Sequence, residues 1–140
     1  MIKRNGWGVA VVIALSAWGA AIAKDADPAT LYEVTTRGST EKLKPGETGS
    51  FVLQIIAKPG AHVSDEAPLR LELKGQKVKV EKTKLTLADS VAKPNPRFEV
   101  PVRAEAAGKG SVDGKLSFFI CTETLCARQQ KTLSVPIEIL

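Results

Sequence analysis

Apolar side chains return at every second residue in several short runs of this chain, and that spacing constrains the fold more than any other feature. Leu69, Leu71 and Leu73 alternate with polar and charged residues and stop at Gly75. Val78 and Val80 begin another run that resumes at Leu85 and Leu87, and Phe98, Val100 and Val102 make a third. Leu116, Phe118 and Ile120 lead into Cys121, and Leu133, Val135, Ile137 and Ile139 close the chain. Successive strand residues point to opposite faces, so period two marks a strand with one buried and one wet face. A run rich in strand formers, Ser50 to Ala57, ends at Lys58-Pro59-Gly60, and a weaker strand is predicted from Leu31 to Thr35. The one stretch with helix-friendly composition, Arg103 to Lys109, is too short for a helix and contains Gly108.

Strands at this spacing predict an all-β fold, an immunoglobulin-like antiparallel β-sandwich of about seven to eight strands. A closed barrel is the other architecture compatible with the pattern. Pro136 sits on the polar side of the last strand. It has no N–H to give to a ladder, which predicts an edge position or a bulge there.

The first residues read differently. Lys3 and Arg4 are followed by an almost wholly apolar stretch from Val9 to Ile22, then small residues ending at Ala23 before Lys24-Asp25. A basic start, an apolar middle and small residues at Ala21 and Ala23 have the form of an export signal. The apolar run, roughly 14 to 17 residues, is short for a membrane span of about 20. The expectation is therefore a cleaved signal at residues 1–23 and a single domain at 24–140, periplasmic or secreted, with no stable membrane insertion after cleavage.

The whole chain has a formal charge of +5, and without Lys3 and Arg4 it has about +3. Basic residues alternate with acids, as in Lys79-Val80-Glu81-Lys82, and aromatics are only 5% of residues. Neither feature points to nucleic acid. The sequence has no G-x-S-x-G, no phosphate-binding glycine loop and no H-E-x-x-H, which argues against a conventional hydrolase or nucleotide enzyme.

The one chemical feature is the pair Cys121 and Cys126, separated by Thr122-Glu123-Thr124-Leu125. A four-residue connection suits a β-hairpin and would place the cysteines opposite each other where it closes, within disulfide reach. An oxidising compartment permits the bond. A loop of about six residues yields only about 2 kcal/mol of denatured-state entropy, and a disulfide near a loop tip is open to thiolate attack. Arg128 and Lys131 would favour a thiolate and Glu123 would oppose it. The residues thus leave a structural and a redox role both open.

The segment Phe118-Phe119-Ile120-Cys121 to Cys126, with the alternation after Leu133, resembles the end of the amino-terminal periplasmic domain of DsbD-type thiol:disulfide interchange proteins. A second patch, Lys58-Pro59-Gly60-Ala61-His62-Val63 followed by Ala67-Pro68-Leu69, is similar to a Gly-x-His pattern in that group. The resemblance implies an immunoglobulin-like sandwich that passes reducing equivalents through Cys121 and Cys126 to a thioredoxin-fold periplasmic partner. Within such a pair, Cys126 would form mixed disulfides and Cys121, enclosed behind Phe118-Phe119-Ile120, would resolve them.

His62 is the sole histidine and sits in a Pro-Gly turn. With both cysteines it would make a three-ligand set for copper or zinc, one ligand short of tetrahedral zinc. No cofactor and no metal site is therefore expected. Three readings follow: a thiol-disulfide exchange module, a non-enzymatic immunoglobulin-like binding or accessory domain with a structural hairpin disulfide, and, more distantly, a copper-handling protein.

Overall fold

The computed structural model describes residues 27–140, so the signal expected at 1–23 lies outside the described residues. The described chain is an immunoglobulin-like β-sandwich of two sheets. Its strands are β1 (Tyr32–Thr35), β2 (Lys42–Leu43), β3 (Thr48–Ala57), β4 (His62–Val63), β5 (Arg70–Gln76), β6 (Val78–Val80), β7 (Lys84–Thr86), β8 (Arg97–Ala104), β9 (Gly108–Cys121) and β10 (Cys126–Ile139). Two of these ten, β2 and β4, are two-residue strands too short for periodicity to reveal. No helix among the described residues is long and apolar enough to cross a membrane.

One sheet runs β1-β3-β8-β6 and the other β2-β10-β9-β5-β7, with β4 also pairing to β9. The alternating residues meet between the sheets. Phe51, Leu53, Ile55, Phe98, Val100 and Val102 from the first pack against Leu71, Val112, Leu116, Phe118, Ile120 and Ile137 from the second. Two separate sheets, each with its own edges, select the sandwich over the barrel.

The chain passes from one sheet to the other between β5 and β6. Gly75 allows that passage, because a Cβ there would stand 2.1 Å from the Val78 carbonyl oxygen. Lys77, at φ 58°, makes the turn.

β9 begins at Gly108, well before the apolar run that announces it. Its inward positions there include Gly110 and Gly114, where backbone and side-chain atoms of neighbouring strands fill the space. A Cβ on Gly114 would lie 3.3 Å from Leu133 Cδ1 and 3.4 Å from Leu73 Cδ2. β9 and β10 form a hairpin paired along all fourteen residues of each, from Cys121↔Cys126 to Gly108↔Ile139.

Candidate functional site

Cys121, Cys126 and His62 come together at one end of the second sheet. Cys121 and Cys126 are direct cross-strand partners and form a disulfide, with Cα atoms 4.0 Å apart. The Thr122 N–H donates to the Leu125 carbonyl at 2.7 Å, closing the hairpin one pair further out. Hydrogen-bonded and non-hydrogen-bonded pairs alternate along an antiparallel ladder. The cysteines therefore occupy the non-hydrogen-bonded kind, where opposed side chains approach most closely.

The bond lies on the outer face of the sheet, since Leu116, Phe118 and Ile120 of β9 point into the core and Cys121 alternates with them. Even so, Cys121 is only 2% exposed, while Cys126 is open to solvent. β9 has β4 on one side of Cys121 and β10 on the other, whereas β10 has only β9 beside Cys126. Leu125, in the connecting loop, is 43% exposed.

His62 is the direct partner of Cys121 on the β4 side. Directly opposed residues share a face, so His62, Cys121 and Cys126 form one row across three strands. The histidine is exposed and lies within a short strand just past the turn, not in the turn itself. Nothing local in the sequence announces this contact, since 59 positions separate the two residues and only the pairing of β4 with β9 joins them. Among the described residues no cluster of three or more potential metal ligands occurs.

The two cations expected to favour a thiolate are engaged elsewhere. Arg128 is on the same face of β10 as Cys126. Its Nε, however, reaches Ser117 Oγ at 3.4 Å, and Ser117 is opposite Gln130, further from the hairpin end. The Lys131 ammonium lies 5.7 Å from the centre of the Tyr32 ring.

Tyr32 links β1 to this hairpin. Its ring meets Phe118 edge-on at 4.8 Å between centroids, and its hydroxyl donates to Gln129 Oε1 at 3.0 Å. Burial, and secondarily the nearby Asp27 carboxylate, push its phenol above the usual tyrosine range. Tyr32 is itself a core residue, 5% exposed.

No protein-family model matches the chain, and a search of curated proteins finds no match. Among solved structures the chain is similar to the native conformation of alpha-2-macroglobulin from E. coli, at 18% identity and a TM-score of 0.46 over 77% of this chain and 6% of that one. A crystal structure of the same Escherichia coli protein, from domain MG7 to its C-terminus, is matched at 18% identity and a TM-score of 0.44, over 77% of this chain and 16% of that one. The chain thus corresponds to a small part of either structure's length.

Proposed function

We propose that this chain is an exported, non-enzymatic immunoglobulin-like accessory domain that meets a partner through the β9–β10 hairpin, with Cys121–Cys126 as a structural clasp at the hairpin's end. The observation that carries this reading is the formed bond between residues already opposed in a fourteen-residue ladder. A bond there holds the last pair of a long hairpin against fraying and keeps the exposed tip in one conformation. Arg128 and Lys131 are turned to Ser117 and Tyr32, so neither is committed to activating a thiolate. The reduction potential of the purified protein in graded glutathione tests the reading. A structural bond should lie below about −300 mV, and a value above about −250 mV would overturn it.

One observation favours a second reading, thiol-disulfide exchange with a thioredoxin-fold partner in the periplasm. The disulfide is asymmetric: Cys126 is open and Cys121 enclosed. An incoming partner thiolate would attack Cys126 Sγ, and the Sγ–Sγ bond would break with Cys121 leaving as a thiolate. A second partner thiol would then attack the mixed disulfide. That attack releases Cys126 as a second thiolate, and the partner leaves oxidised, its thiol proton passing to solvent. The two thiolates take up protons from solvent to leave this domain as a dithiol. The reverse sequence hands the reducing equivalents on. This reading rests also on the resemblance to the DsbD-type amino-terminal domain, and the same titration decides between the two.

A further inference from the structure

β10 is paired on one side along its whole length, but on the other only by β2, at Glu138 and Ile139. Which backbone groups face that second side follows from the ladder. The Glu138 N–H donates outward to the Glu41 carbonyl at 2.8 Å, and at the other end Thr122 N–H donates inward across the hairpin to Leu125. Strand geometry alternates the direction at each residue. The amides and carbonyls of Cys126, Arg128, Gln130, Thr132 and Ser134 therefore point away from β9, and among the described residues no backbone partner meets them. Pro136 has the same parity, so the position without an N–H is one where β9 does not need it. The open edge runs about 27 Å from Cys126 to Ser134.

This edge borders a groove. β1 pairs only with β3, so its own outer edge faces β10 across the sandwich. The groove between them is lined by Tyr32, Val34, Thr36, Lys131 and Leu133. A chain added to β10 would send alternate side chains into this groove, against the half-buried Val34 and Leu133, and the others onto the outer face beside Arg128.

We propose that the open edge of β10 binds an extended segment of a partner protein by strand addition, the segment alternating apolar residues with acidic or polar ones. Apolar residues would match the groove, and an acid would match the terminal nitrogens of Arg128, whose Nε alone reaches Ser117. Cross-strand pairs of opposite charge stabilise and like charges do not. Pro136 and β2 end the site on one side and the hairpin loop ends it on the other, which sets the register. The assignment deepens the accessory-domain reading by naming what the hairpin meets.

The test uses Cys126 as an anchor. In the Cys121→Ser protein, a short peptide made of one cysteine followed by alternating valine and glutamate is joined to Cys126 by a disulfide. Amide hydrogen exchange is then read residue by residue. The outward amides of Arg128, Gln130, Thr132 and Ser134 should slow by about tenfold or more, while the inward amides of Gln129, Lys131 and Leu133 stay protected as before. Thr132→Pro should leave the fold intact, as Pro136 does, and abolish the slowing at neighbouring outward positions. Unchanged outward amides in the tethered protein would overturn the proposal. So would slowing that survives Thr132→Pro, or a dimer of the untethered protein built by β10 pairing with β10. The outcome is independent of the reduction potential, which alone decides the clasp.

Discussion

Cys121 and Cys126 face each other across the last pair of the β9–β10 ladder, yet one is enclosed between two neighbouring strands and the other stands on an open edge. Once the bond is reduced, the two thiols should differ in reach. Iodoacetamide should modify Cys126 well before Cys121 in reduced, folded protein, as peptide mass mapping over a time course would show. Equal rates would mean that the enclosure of Cys121 depends on the disulfide itself.

Replacing both cysteines by serine should lower stability by about 2 kcal/mol and leave a cooperative unfolding transition. The remaining ladder and the core do not depend on the bond. Urea unfolding of the wild type and the double variant measures the difference. Failure of the variant to fold would give the clasp a far larger role than loop closure can explain.

Tyr32 supplies a pH dependence. Its phenol is raised in the folded state, so the unfolded chain releases this proton first as pH rises past about 10. Between the unfolded and folded values the unfolded state binds fewer protons, and stability falls with rising pH. Below that window the contribution is fully present. Tyr32→Phe should remove this component of the alkaline loss. At neutral pH it should cost about 0.5–1.5 kcal/mol through the lost bond to Gln129. Urea midpoints at neutral pH and above pH 10 read both effects, and an unchanged alkaline slope would count against the assignment.

Gly75 has no room for a side chain, since the Val78 carbonyl occupies the place of its Cβ. Gly75→Ala should destabilise by about 1–3 kcal/mol, the usual cost of forcing atoms into a packed site. Gly46→Ala makes a useful contrast. Nothing lies within 4 Å of a Cβ there, and its cost should come only from backbone strain at φ 81°. Thermal unfolding of the two variants would compare steric with conformational cost.

The runs at Leu71–Leu73, Phe98–Val102, Leu116–Ile120 and Val135–Ile139 were legible as strands because period two follows from backbone geometry alone. The alternating apolar residues of those runs, from Leu71 to Ile139, are in the core, whereas Phe119, between two of them, is not. The first half of β9 was not legible. Gly110 and Gly114 stand where the pattern expects apolar side chains, and that space is filled from other strands, by the Gln76 carbonyl and Ile139 at Gly110 and by Leu133 and Leu73 at Gly114. A period carried by missing side chains leaves no trace in hydropathy. β2 and β4 were likewise invisible, being held only by pairing with distant strands.

At the candidate site, the sequence by itself determined the cysteine pair and its hairpin, because four intervening residues and flanking strands leave little other geometry. The apolar run before Cys121 pointed to it as the enclosed partner, but what encloses it is β4 lying beside β9, a pairing no local pattern announces. The tertiary structure decided the rest. It set His62 beside Cys121, turned Arg128 toward Ser117 and Lys131 toward Tyr32, and left the outer side of β10 without a strand partner from Cys126 to Ser134. These are relations between strands far apart in the chain. Long side chains take their direction from whichever partners the packed sheets bring near, and an edge exists only where no other strand arrives, so neither can be read from local spacing.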